Sequence, residues 1–155
     1  MAAFDISVEV TLESPPVDTA SLIGLAEQVM AGEGVAAGTV LAVLVTADDE
    51  VRAMNRQFLG IDEATDVLSF PDEADDFVEA VADAPHLGDI AIALPTAERQ
   101  AAAIGHSLAA ELAHLLVHGI LHLCGYDHVE SPDDEARMRA REEHYLGDLG
   151  LVHEH

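Results

Sequence analysis

The 155-residue sequence predicts a layered α+β domain, a small mixed sheet of about four strands packed with about five helices in a single unit. Three observations carry that expectation. Half of the residues are hydrophobic, enough to build a buried core. Strand-like and helix-like patterns then interleave in the order βαβαββααα. Finally, no run of about 18 apolar residues is uninterrupted, because Glu111, His114, His118 and His122 break the longest one, so no membrane span is expected.

Each element follows from local chemistry. Phe4, Ile6, Val8, Val10 and Leu12 alternate with polar residues, the period of a half-buried strand near a sheet edge. Pro15 and Pro16 stop it, and Asp18 caps a helix over 19–30 that the Gly32/Gly34 pair ends. Residues 39–46 form a nearly continuous, β-branched apolar run, which reads as a central strand. Asp48 and Asp49 open a second helix toward Gly60, and 67–70 is a short strand ending at Pro71. The acidic, Ala-rich stretch 72–85 is expected to be a solvated insertion. Residues 89–94 read as the last strand, and Pro95 and Thr96 start a helix that breaks at Gly105. Ser107 caps the most hydrophobic helix, expected to reach Cys124 and to end at Gly125; Ser131 and Pro132 open a final helix to Gly147.

Charge narrows the function classes. Thirty acidic residues stand against six basic ones, all of them Arg, for a net charge of −24. A broad basic face for nucleic acid is therefore excluded, since phosphate binding of that kind needs many Lys/Arg contacts. One cysteine rules out an intramolecular disulfide framework and a Cys-based zinc finger, and fits a reducing cytoplasm. The first twelve residues lack the basic and apolar blocks of a secretory signal, so a cytoplasmic location is expected.

The informative signal is the spacing of histidines. His118 and His122 lie four apart on the predicted apolar helix, about 40° from each other around its axis, so both imidazoles reach one ion. Gly125 ends that helix and lets His128 return as a third ligand, giving the pattern H-x-x-x-H-x-x-G-x-x-H. Three neutral nitrogens with an open fourth position describe a catalytic zinc site, one ion per chain, more than a structural one. Metzincin peptidases share this skeleton but place a Glu base directly after the first His; here that position is Gly119, which speaks against peptidase or amidase chemistry.

Three blocks then become recognisable. His118-Gly-Ile-Leu-His-Leu-Cys-Gly-Tyr-Asp-His128 resembles the signature of the YbeY family of bacterial endoribonucleases. Asn55-Arg-Gln-Phe-Leu-Gly-Ile-Asp-Glu-Ala-Thr-Asp-Val-Leu-Ser-Phe-Pro71 is similar to that family's T-D-V-L-S-F segment, and Gly88-Asp-Ile-Ala-Ile92 to its G-D-I strand. The resemblance implies a single-domain, single-zinc hydrolase, specific for single-stranded RNA and acting in rRNA maturation and ribosome quality control. Carried over by position, it makes His118, His122 and His128 the zinc ligands. Its implied partners are rRNA and the ribosome or ribosomal proteins, with neither DNA nor a membrane expected. Leu59 stands where members often carry Arg, and Ala64 where they often carry Pro. Arg56 and Arg52, at helical spacing from Leu59, are candidates to present the missing guanidinium.

Phosphodiester hydrolysis needs a nucleophile, relief of phosphoryl charge and a proton for the leaving oxygen. A zinc-activated water or an RNA 2′-hydroxyl is the expected attacking group. Asp127, beside His128, is a candidate base or a partner that orients an imidazole, and equally an ordinary turn aspartate. His114, one turn before His118, is a candidate shuttle, a support for the ligands, or a core histidine. Asp66 and Ser69 are candidate RNA contacts, and Cys124 reads as a small buried hydrophobe. A zinc-bound ribosome-assembly factor without catalysis is the rival of a different class; it predicts metal-dependent folding without RNA cleavage.

Overall fold

A sheet in the order β1-β2-β4-β3 organises the computed structural model, which describes residues 4–13, 17–63, 65–71, 86–126 and 132–147. Its strands are β1 (Asp5–Val10), β2 (Val40–Thr46), β3 (Val67–Pro71) and β4 (His86–Ala93). The first two and β4 run parallel, and β3 pairs antiparallel to β4, so the sheet is mixed as expected. The alternating segment is the edge strand β1, its Ile6, Val8 and Val10 half-buried and its Asp5, Ser7 and Glu9 exposed. The β-branched run is central, paired on both sides.

Five helices accompany the sheet among the described residues: α1 (Thr19–Gly32), α2 (Asp48–Met54), α3 (Leu94–Ile104), α4 (Leu108–Leu121) and α5 (Pro132–Gly147). The side chain of Asp18 caps α1 and that of Ser107 caps α4, each accepting a first-turn backbone N–H. No single described helix is long and apolar enough to cross a membrane.

Pleat alternation sorts the core. Leu41, Val43 and Val45 of β2 and Ile90 and Ile92 of β4 face α1, α4 and α5. Leu68, Ala91 and Ala93 turn the other way, onto Val51 and Met54 of α2. Ten of the fourteen residues of α4 are buried, as befits a helix apolar on nearly every side.

Beyond shifts of one or two residues at element ends, two boundaries differ from the sequence reading. The last strand begins at His86 rather than residue 89, because the β2 ladder extends to His86 and the β3 ladder to Gly88. The apolar helix ends its α-helical course at Leu121 and continues as a π-helical turn, His122–Tyr126. A similar turn, Asn55–Leu59, follows α2. Insertions of this kind change the angular phase of the side chains that follow, which an ideal 3.6-residue period cannot anticipate. The acidic stretch 72–85 lies outside the described residues.

Helix α3 has no capping side chain of its own; Asp48 supplies one from α2. Its carboxylate accepts the Thr96 N–H at 3.1 Å, the Thr96 hydroxyl at 2.8 Å and the Arg99 guanidinium at 2.8 Å. Burial pushes the Asp48 carboxyl up, but the hydrogen bonds from Arg99 and Thr96 outweigh it and hold it below its ordinary value. A depressed folded pKa contributes stability above the unfolded value, about 3.9, that is lost as pH falls through the folded value. The Asp48→Ala variant is thus expected to be about 1 kcal/mol less stable than wild type at pH 7. Urea titrations at pH 7 and pH 3 should show that gap closing on acidification; a gap independent of pH rules the account out.

Candidate metal centre and active site

Between Ala110 and Leu121 every residue of α4 is buried except His114 and His118, which are partly open. These imidazoles are one turn apart on the stripe facing β3 and α5, and His122 continues it into the π-helical turn. The His118 and His122 rings meet edge to face, centroids 4.4 Å apart, with their Nε2 atoms at 2.8 Å. His114 stacks on the other side of His118, centroids 6.2 Å apart and planes 12° from parallel.

Two imidazole nitrogens side by side on a cavity wall are a donor pair a borderline-soft divalent ion prefers. Tetrahedral zinc would hold them about 3.3 Å apart, a small opening from the spacing present. The donor set therefore fits the metal that the histidine spacing predicts. His128, the third predicted ligand, and Asp127, the candidate base, lie outside the described residues.

Cavities flank His118 on two sides. One, of about 310 Å³, is lined by Thr65 to Ser69 of the β3 segment together with His118, His122 and Leu123. The other, of about 390 Å³, runs past Asp66, Glu111, His114 and His118. Asp66 and Ser69, the predicted RNA contacts, thus share a cavity wall with the two histidines. Asp66 accepts the Val67 N–H at 2.8 Å, and its own carbonyl accepts the Ala93 N–H at 2.9 Å, tying it to the start of β3. Ser69 donates its hydroxyl to the Gly119 carbonyl at 3.2 Å.

The absence of a side chain at 119 has a packing cause. A Cβ there would stand 3.1 Å from Ile90 Cδ1 and 3.2 Å from Ser69 Oγ, so α4 lies on the sheet through this glycine. Gly88 performs the same service for the ligand turn: a Cβ on it would stand 2.7 Å from Leu123 Cδ2, next in sequence to His122.

Arg56 is not brought to this site. It is exposed on the turn after α2, which packs on the other face of the sheet, and it lines neither cavity. Arg52 is engaged by Asp62 at 2.8 Å. Among the described residues lining the two cavities there is no Arg. Cys124 is half-buried, and burial followed by the negative charge of Glu33 pushes its thiol up to about 11, so without a metal it is protonated at neutral pH and a poor nucleophile.

Two acids escaped the sequence reading. Glu111, buried at the rim of the larger cavity, pairs with His106 at 2.7 Å. Glu142, on α5, meets His118 Nδ1 at 3.2 Å, and His114, His118 and Glu142 each bring a donor atom within 4.8 Å of the others. The available signal was the inward stripe of α5, where Met138 and Tyr145 flank Glu142 at helical spacing.

Comparison with known proteins agrees with the chemistry of this wall. The family model described as Endoribonuclease YbeY matches residues 8–150. A relative from Chloroflexus aurantiacus named Endoribonuclease YbeY is 46% identical over 151 residues, covering 96% of this chain and 98% of the relative. One of the same name from Desulforamulus reducens is 42% identical, covering 84% and 88%. A solution structure of a Thermotoga maritima protein superposes with a TM-score of 0.60 at 26% identity, covering 94% of this chain and 91% of the other. Histidines at these positions, glycine in place of a peptidase base and a match along nearly the whole chain lead to one assignment: the chain belongs to the YbeY endoribonuclease family.

Proposed function

We propose that this endoribonuclease is zinc-dependent, that it hydrolyses single-stranded RNA during rRNA maturation in the cytoplasm, and that the ribosome or its basic proteins deliver the substrate. The observation that carries the metal requirement is the pair of Nε2 atoms of His118 and His122, 2.8 Å apart on the wall of a cavity. His118, His122 and His128 would hold the ion. When bound, zinc supplies Lewis-acid polarisation of a phosphoryl oxygen and lowers the pKa of a water to about 7.

The chain's own residues supply placement. Held just before and within β3, Asp66 and Ser69 line the same cavity as the two histidines. There Asp66 can accept from ribose hydroxyls or base N–H groups, which suits RNA over DNA. Asp127 or His114 would move the proton. With a net charge of −24 and no Arg among the described lining residues, little else on the wall offsets phosphate charge, which is why a cation is required.

The test is metal analysis and cleavage by one preparation. Protein as purified should carry about one zinc per chain and cut a single-stranded RNA oligonucleotide. Chelation should remove both properties, zinc should restore cleavage, and an all-deoxy oligonucleotide should stay intact. Undiminished cleavage by protein shown to be metal-free would overturn the reading; a folded, zinc-loaded protein without cleavage would favour an assembly factor.

A further inference from the structure

Both ring nitrogens of His118 are engaged, and by different elements. Nε2 faces His122 Nε2 at 2.8 Å within the same stripe of histidines. Nδ1 faces Glu142 Oε2 at 3.2 Å, a group 24 residues further along the chain on α5. An ionised carboxylate can only accept, so in this contact Nδ1–H donates. A neutral imidazole that donates from Nδ1 keeps its lone pair on Nε2.

We infer that Glu142 is a positioning residue of the metal centre, holding His118 in the ring orientation and tautomer that present Nε2 to an ion shared with His122. The inference rests on the metal reading proposed above. Ligating histidines almost always give their second N–H to a carboxylate, carbonyl or water, and that partner fixes the ring and raises its basicity. Here the ring is confined from three directions: His114 stacked at 6.2 Å, His122 edge-on at 4.4 Å, and Glu142 in its plane of donation. The Glu142 side chain is only 14% exposed, so competition from water for this hydrogen bond is reduced.

The carboxylate is itself held in register by its neighbours on α5. Arg141 donates from Nε and Nη2 to Glu33 at 2.9 and 2.6 Å, and from Nη2 to the Tyr145 oxygen at 2.9 Å. The Tyr145 hydroxyl donates to the same Glu33 oxygen, and its ring lies over Gly32, where no Cβ intervenes. Met138, Tyr145 and Leu146 are buried in the core. One turn of α5 is thereby locked to the end of α1 on both sides of Glu142, which sets its height and rotation opposite His118.

The same residues admit a rival arrangement, in which Glu142 is itself a ligand together with His114 and His118. That arrangement leaves His122 outside the coordination set, so the two are separable. The experiment measures zinc affinity of the full chain by competition with a chromophoric chelator, and the visible spectrum of the cobalt(II) form. Wild type is compared with E142Q, E142A and H122A, with thermal melts to verify folding.

Positioning predicts that E142A still binds one zinc per chain, but about 10- to 100-fold more weakly. The amide oxygen of E142Q still accepts Nδ1–H, so this variant should recover most of that loss. The cobalt band intensity should match wild type in both, since the ligands are unchanged, and H122A should lose tight binding. Wild-type affinity in E142A and E142Q would overturn the inference while leaving the metal reading intact. Loss of stoichiometric binding in E142A with retention in H122A would overturn it in favour of the rival set. Wild type that binds no zinc would remove the metal reading, and the inference with it. Should E142A fail to fold, the isosteric E142Q decides by the same affinity and spectrum.

Discussion

Changing His118 to alanine is expected to abolish stoichiometric zinc binding and to lower RNA cleavage by a factor on the order of a thousand or more. A factor of a thousand corresponds to about 4 kcal/mol of transition-state stabilisation, within the several kcal/mol that Lewis-acid and nucleophile activation supply. The site gives a reason to expect the full loss rather than a fraction. His118 is the residue common to both cavities, to the His122 pair and to the Glu142 contact, so no neighbour can take its place. The fold should survive: His118 is only partly buried, and alanine is the better helix former. Metal analysis and a fluorogenic RNA assay on protein with an unchanged circular dichroism spectrum check this. Retention of either zinc or cleavage would show that the centre lies elsewhere.

Gly119→Glu is expected to be strongly destabilising, at a cost on the order of 4 kcal/mol. It would install the base that metzincin peptidases carry at this place, yet the geometry leaves it little space. The first carbon alone would press on Ile90, which is 1% exposed in the central strand β4. Overpacking of this kind costs about 1–3 kcal/mol, and a carboxylate forced between α4 and the sheet adds a desolvation penalty of similar size. The peptidase arrangement is thus disfavoured by how α4 meets the sheet, not only by a missing functional group. Denaturant titration measures the loss; a variant as stable as wild type, or one that gains peptidase activity, would refute the packing argument.

Local patterns told much of this in advance, because several elements carry their own punctuation. Asp18 and Ser107 cap helices where a side-chain oxygen at that position dictates, and strict alternation from Ile6 to Val10 marks an edge strand whose outer face is solvated. Histidines four apart had to share a face, and they do. What the sequence concealed is what depends on contacts between distant segments. The strand starts as early as His86 because β2 pairs with it there, and the π-helical turn at His122 shifts a phase that periodicity treats as constant. Arg56 looked available through its spacing to Leu59, but α2 delivers it to the wrong face of the sheet. Glu142 was hidden among the many acids of the chain, and only the docking of α5 distinguishes it from the others.

The clasp of Glu33 with Arg141 and Tyr145 has a consequence for assembly in time. Residue 33 emerges early in vectorial synthesis and its partners follow 108 and 112 positions later. A nascent chain that has already exposed its histidine-bearing helix therefore lacks both the clasp and the carboxylate that aligns the first imidazole. The fixing of α5 against the end of α1 is therefore among the last tertiary contacts the described chain can make during synthesis.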